Sequence, residues 1–325
     1  MQRRLFIGGV LTGPLGLVGP AAIAKSRTGR EVPLVGVLAA TGLSALDYLR
    51  QGLRQQGYVE GQSVNFAFRS ADGNPRDLPG LARHLAGLDV DVLFVAGPAA
   101  LDAAVHATSA VPIVALDLET DPLRSGLVRS LEHPRTNVTG VFLDQSALTS
   151  KWLELVRLTL PRARQLNLFW DAGSGPWQLA AAKAAAKRQG FEIDTLVVRS
   201  EGDFERELAD GMSSKPDALV LLSSPLVRAR SVQLAEFSHK QRLPMLSPFG
   251  EFVRAGGLMS YGPNVQDFYV RASVFVDKVL KGSRAGDLPI LVPNTFEQLL
   301  NLRTAKAMGL TLPPALLAGA SELIQ

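Results

Sequence analysis

Residues 34–38 form an unbroken apolar run of strand length, the pattern of a parallel strand covered on both faces. Polar positions then open at intervals of three and four. Leu46, Leu49 and Leu53 fall on one helical face, Ser44 is placed to cap that helix, Asp47 sits in its first turn and Gly57 supplies its stop. The alternation returns at once. Residues 64–68 read as a strand, Asn74-Pro75 as a cap and first turn, and Leu78, Leu81 and Leu85 as an inward helical face. A strand at 90–95, a helix at 99–107 and a strand at 112–116 extend the rhythm.

After a helix at 152–160, a second series begins. Its strand-length segments at 166–170, 193–198 and 218–222 alternate with an Ala-rich helical stretch at 179–187 and with the segments 204–208 and 227–237. Strands alternating with helices predict an α/β protein built on parallel sheets, and the doubled series predicts two similar lobes. The join falls near residues 139–143, where no Gly/Ser linker occurs, so extended hinge crossings are expected instead of a loose tether. Past Tyr261, a helix at 268–280 ended by Gly282, and a strand at 288–292, must cover or rejoin lobes already formed.

The N-terminus changes the picture from fold to destination. Arg3 and Arg4, an apolar stretch at 5–18 broken by Gly13, Pro14 and Gly16, and the Ala22-Ile23-Ala24 triplet read as a signal peptide over residues 1–24, cleaved after Ala24. The stretch is shorter than the ~20 residues that span a bilayer. Arg3-Arg4-Leu5-Phe6 leaves the general and twin-arginine export routes both open. With no Cys, the chain has neither a disulfide framework nor the acylated cysteine of a bacterial lipoprotein, so a free periplasmic protein is expected. The 325 residues, 46% hydrophobic, are enough for two domains with their own cores. A net charge of +4, carried without a basic run, argues against a nucleic-acid partner.

Candidate chemistry is sparse. His84, His106, His133 and His239 lie outside any metal-ligand spacing, and no Gly-x-Ser-x-Gly elbow occurs. No enzyme or cofactor site is nominated. Gly97-Pro98-Ala99-Ala100 sits where a strand becomes a helix, a geometry that aims N–H groups at an anion, although a plain βα turn explains it equally. Asp117, Asp121, Asp171, Ser223, Ser224, Ser247, Ser260 and Tyr261 stand at strand ends, where doubly wound sheets bind ligands and where helix caps also occur. Trp170, Trp177, Phe249 and Tyr261 offer either an aromatic floor or core packing.

A set of ordered strings adds a resemblance. Gln51-Gly52-Leu53-Arg54 with Gly57-Tyr58-Val59-Glu60-Gly61, Ala71-Asp72-Gly73, Asp121-Pro122 before Gly126-Leu127-Val128, and Asn137-Val138-Thr139-Gly140 come first. Ala255-Gly256-Gly257-Leu258-Met259-Ser260-Tyr261-Gly262 and Thr304-Ala305-Lys306-Ala307 follow. Together they resemble the ABC-transporter substrate-binding proteins of the tryptophan/phenylalanine-binder-like group, with the type I periplasmic binding protein fold. The resemblance implies two Rossmann-like lobes joined by three crossings. The N-terminal lobe would hold residues 30–140 plus about 264–290, and the C-terminal lobe 141–263 plus about 291–325.

What the resemblance implies for function is a monomeric solute-binding component without catalysis or cofactor. It would hand a small-molecule ligand to an inner-membrane permease driven by an ATPase. An amino acid, possibly aromatic, would place its carboxylate at the N–H groups that follow Gly97 in the Gly97-Pro98-Ala99 segment or in the Ala40-Thr41-Gly42 loop. Its ammonium would face Asp117, Asp121 or Asp171, with Trp170 or Tyr261 against its side chain, and Ser223, Ser224 and Glu251 completing the lining. A membrane-receptor sensor and a periplasmic enzyme are the alternatives. Two departures stand out: Ala96-Gly97-Pro98 lacks the hydroxyl that members often carry there, and Arg135 replaces a turn glycine, so it must avoid or tolerate a positive φ.

Overall fold

The computed structural model describes residues 29–325. The leader expected at residues 1–24, with cleavage after Ala24, lies outside the described residues. From the first apolar run onward the chain alternates β1 (Leu34–Ala39), α1 (Ser44–Gln55), β2 (Asn65–Ser70), α2 (Leu78–Ala86), β3 (Val92–Ala96) and α3 (Pro98–Ala107). β4 (Ile113–Asp117), β5 (Val138–Phe142) and α4 (Thr149–Thr159) lead into the second series. That series runs β6 (Gln165–Asp171), α5 (Trp177–Arg188), β7 (Glu192–Val198), α6 (Phe204–Asp210) and β8 (Ala218–Leu221). It continues as α7 (Pro225–Ala229), α8 (Ser231–Gln241), β9 (Met245–Ser247), α9 (Gly250–Arg254) and β10 (Met259–Gly262). The tail holds α10 (Val265–Leu280), β11 (Ile290–Leu291), β12 (Glu297–Asn301), α11 (Leu302–Ala307), α12 (Pro314–Ala318) and β13 (Glu322–Ile324).

Two sheets result. The first has six strands in the order β11-β5-β4-β3-β1-β2, the second seven in the order β13-β12-β10-β9-β8-β6-β7. β3, β4 and β5 are buried at every position, as their unbroken apolar composition requires, whereas the edge strand β2 is only half-covered and carries Asn65, Arg69 and Ser70. The first sheet is parallel throughout. In the second, β10 and β12 pair antiparallel, a departure from the wholly parallel expectation: β12 belongs to the returning tail and enters from the opposite direction. Helix α10 packs on α1 and against β3, β4 and β5. The chain thus passes between the sheets after Phe142, between Gly262 and Val265, and between Leu291 and Glu297.

Local expectations fail at three places, each for a physical reason. Ser44 makes no capping bond; it is the first residue of α1, and its hydroxyl accepts from Arg228 instead. The helix expected at 227–237 is broken at Arg230, because the Ser224 hydroxyl caps a separate short helix, accepting from the Val227 N–H at 3.0 Å. The strand expected at 288–292 keeps two residues, paired with Gly140 and Val141 at the sheet margin. Arg135 takes φ 55°, tolerating the left-handed conformation, and its N–H donates to the Gly286 carbonyl at 3.1 Å.

Alternate side chains sort into three buried clusters. One covers the outer face of each sheet, around Leu93 and Phe142 in the first and around Trp152 and Leu168 in the second. The third is continuous across both sheets: Val37, Leu116 and Leu118 from the first join Phe169, Leu221, Leu226 and Phe249 from the second. Trp152 is fully buried, and its indole N–H donates to the Tyr261 carbonyl at 2.7 Å, the partner a buried indole needs.

Candidate functional site

The carboxyl ends of the central strands of both sheets face one another. From the first sheet, β1 delivers Ala40 and Thr41, β3 delivers Gly97, and β4 delivers Leu118 and Glu119. Ser224 and Pro225 follow β8, Arg228 lies on α7 and Phe249 follows β9. Val265 and Tyr269 of α10 close the base. Together they bound a cavity of about 400 Å³ counting its open mouth. A second hollow of about 480 Å³ shares Ala40, Thr41 and Pro225 and adds Pro98, Ala99, Asp171 and Arg199.

The approach of the two halves depends on a missing side chain. Gly97 has φ 93°, and a Cβ there would sit 2.7 Å from Pro225 Cγ. Thr41 Oγ1 also reaches the Pro225 carbonyl, at 3.4 Å. Pro98 brings no N–H, so donors at the start of α3 begin at Ala99.

A buried polar network ties the walls. The Ser223 hydroxyl donates to Glu119 Oε1 at 2.6 Å and accepts from Gln145 Nε2 at 2.7 Å. Gln178 fixes the Ser223 backbone from both sides, accepting its N–H at 2.8 Å and donating to its carbonyl at 3.1 Å. Asp117 Oδ1 accepts from the N–H groups of Glu119 and Thr120, at 2.9 and 3.1 Å. Desolvation pushes the Glu119 carboxyl up to about 8, with the Asp117 and Asp171 charges adding to it. Burial raises Asp117 and Asp171 too, although backbone N–H donors oppose it in both.

Arg228 also lines the cavity and reaches from α7 to the first half. Its Nη2 donates to Ser44 Oγ at 3.3 Å, and its guanidinium carbon lies 5.8 Å from the ring centroids of both Tyr48 and Tyr269. Those rings are themselves in contact at 5.2 Å. A guanidinium held against aromatic faces keeps its fork of donors for a carboxylate or another anion.

Of the residues singled out from sequence, Ala40, Thr41, Gly97 and Ser224 line the cavity, and Pro98, Ala99 and Asp171 line the adjoining hollow. Asp117 and Ser223 lie buried behind the wall, and Gly42 borders an outer groove with Leu226 and Arg230. The structure does not bring four others to the cavity. Asp121 spends its carboxylate on the N–H groups of Leu123 and Arg124. Trp170 donates its indole N–H to the Gly175 carbonyl and packs on the outer cluster of the second sheet. Tyr261 rests on Phe296 at 5.9 Å between centroids, and Glu251 occupies the first turn of α9.

Sequence reasoning passed over Glu119, Arg228, Tyr48 and Tyr269. For Glu119 a signal existed, since it stands two residues beyond Asp117 at the same strand end. Arg228 had a weaker one, a lone charge within Pro225-Leu226-Val227 and Ala229. Among the described residues, no group of three or more His, Cys, Asp or Glu is arranged to hold a metal ion, and no helix is long and apolar enough to cross a membrane.

Comparison with known proteins gives a consistent result. The family model for ABC transporter substrate binding proteins matches residues 37–324. The chain is similar to the tyrosine-binding protein of Clostridioides difficile (strain R20291), 22% identical over 290 residues that cover 87% of this chain and 83% of that one. Its fold is similar to a conserved domain protein from Vibrio cholerae O1 biovar El Tor, with TM-score 0.81 and 26% identity over 90% of this chain and 99% of the other. It is also similar to an ABC domain in complex with L-Trp from Streptococcus pneumoniae, with TM-score 0.79 and 24% identity over 90% of this chain and all (100%) of the other.

Proposed function

The chain belongs to the ABC transporter substrate binding protein family, and from that premise we propose that it is the periplasmic solute-binding component of an importer, shutting its two lobes on an amino acid. The observation that carries this reading is the cavity between the sheets, lined by Arg228, Tyr269 and Glu119, with Tyr48 packed against the Arg228 guanidinium. Arg228 is the partner for the ligand carboxylate. Phe249 and Tyr269 give its side chain an apolar surface, which suits an aromatic amino acid. The tyrosine-binding relative and the L-Trp complex of the structural neighbour support the same class of ligand.

Closure is the working step. A ligand touching both lobes gains its full contacts only when they meet, and that differential affinity shifts the population towards the shut form. In this scheme the solute leaves unchanged, to a membrane permease driven by an ATPase. The protein acts as a monomer in this scheme.

Titration calorimetry against the proteinogenic amino acids, with scattering to follow compaction, tests the proposal. Saturable heat and a smaller radius of gyration with L-tyrosine or L-tryptophan are expected. A partner recovered chemically altered, or no response across a broad metabolite set, would overturn it.

A further inference from the structure

We infer that Glu119 receives the positively charged nitrogen of the ligand, and that this cation takes the place of a proton shared by Glu119 and Asp117. The inference rests on the cleft being a solute site and adds to it a charge requirement and a linked proton.

Glu119 lines the cavity yet is only 3% exposed, and Asp117, two residues earlier, is 0% exposed. One oxygen of Asp117 is satisfied by backbone N–H groups; the other, Oδ2, is buried without a partner. An independent observation lies in the same network. Gln145 is fully buried, gives its amide N–H to the Ser223 hydroxyl and leaves its own carbonyl Oε1 with no donor. The layer behind Glu119 is therefore rich in acceptors and short of donors, and it offers the carboxylate that lines the cavity no neutralising partner. An ammonium at Glu119 supplies positive charge and N–H donors from the cavity side.

The groups around Glu119 do not neutralise it. Asp117 at the end of β4 and Asp171 at the end of β6 are acidic, and the charge of Glu251 on α9, outside the cavity lining, acts on Tyr269. Tyr48 on α1 and Tyr269 on α10 are phenols. Among the described residues, Arg228 on α7 is the cation that lines the cavity, and no ion pair joins it to Glu119; one Nη2 bond goes to Ser44, and the rest of its fork is left for the ligand carboxylate. Among the described residues neither Asp117 nor Glu119 forms an ion pair. Burial has already raised both carboxyls, Glu119 to about 8, so at neutral pH the pair holds a proton. When the ligand nitrogen arrives, the carboxyl O–H bond breaks, the proton passes to solvent and the carboxylate keeps the electron pair. Net charge in the buried wall is unchanged.

The test is calorimetry of the purified protein with L-tyrosine and L-tryptophan, and with 3-(4-hydroxyphenyl)propanoate and indole-3-propanoate, which lack the amine. Each probe is titrated in phosphate and in Tris at several pH values. For one whole proton released, apparent affinity for the amines rises about tenfold per pH unit below the Glu119 value, and the heats in the two buffers differ by the difference between their ionisation enthalpies. The deaminated probes should bind more weakly and release no proton. Glu119→Gln should erase both the amine preference and the buffer dependence; if that variant does not fold, the wild-type buffer comparison decides alone. Amine binding with flat pH dependence and no proton release overturns this inference while leaving the solute site intact, as does binding of deaminated compounds alone. Binding of nothing removes the solute reading and this inference together.

Discussion

Ser223 and Glu119 meet at 2.6 Å, a side chain from beyond β8 donating to one from beyond β4. The bond is buried, and Gln145 and Gln178 hold its donor in place. It joins the two sheets beside the cavity that Glu119 lines. Ser223→Ala leaves Glu119 and Gln145 each short of a partner in a dry setting, and a loss of about 1–3 kcal/mol is expected. Chemical denaturation of the variant beside the parent measures it, and an unchanged midpoint would show that the contact contributes nothing.

Glu119 also sets a pH dependence. Its folded-state value is raised to about 8, so its contribution to stability is complete below the ordinary Glu range and is lost as pH climbs through that range to about 8. Without ligand, the unfolding temperature should fall across that window. Glu119→Gln should flatten the fall, since a neutral amide has no proton to lose.

Arg228→Ala removes the guanidinium that faces the cavity from α7. Binding of an amino acid should weaken by about 1.5–3 kcal/mol, the range for a hydrogen bond to a charged group, or roughly 10- to 150-fold in Kd. Lysine should rescue only part of this, because an ammonium cannot offer the same planar fork. Calorimetry on both variants decides.

At Gly97 a side chain would meet Pro225, and φ 93° strains any residue with a Cβ. Gly97→Val should hold the lobes apart. Scattering should then show little compaction at ligand concentrations that saturate the parent, and affinity should drop in step.

Arg135 sits at φ 55° in the position where a glycine would be unstrained. The left-handed conformation costs an L-residue about 1–2 kcal/mol, whereas glycine costs about 0.5–1 kcal/mol in chain entropy. Arg135→Gly is therefore expected to raise stability by up to about 1 kcal/mol, read from thermal unfolding, with ligand affinity unaltered.

Periodicity made most of the fold legible. Continuous apolar runs at 34–38 and 218–222 are buried strands because parallel strands need apolar residues on both faces, and 166–170 joins them although Asn167 interrupts it, since that amide is buried and donates to the Gly211 carbonyl. The tail strand β12 was hidden, since Glu297-Gln298-Leu299-Leu300-Asn301 has polar ends and a short apolar centre. The break at Arg230 was hidden because it depends on how Ser224 is oriented, which spacing does not report. In the site, strand-end logic found the loops at Ala40, Thr41, Gly97 and Ser224 but not the side chains that carry charge into the cavity. Arg228 and Tyr269 arrive from helices, and only the packing of α7 and α10 reveals where they point.

The apolar cluster that runs unbroken from Leu116 and Leu118 to Phe169, Leu221 and Phe249 has a thermal consequence. Separating the halves wets part of that surface, so parting them carries a positive heat-capacity change, and the attraction between them fades on cooling. In the cold, the empty protein should gape more often, and solutes should find the doorway open for longer.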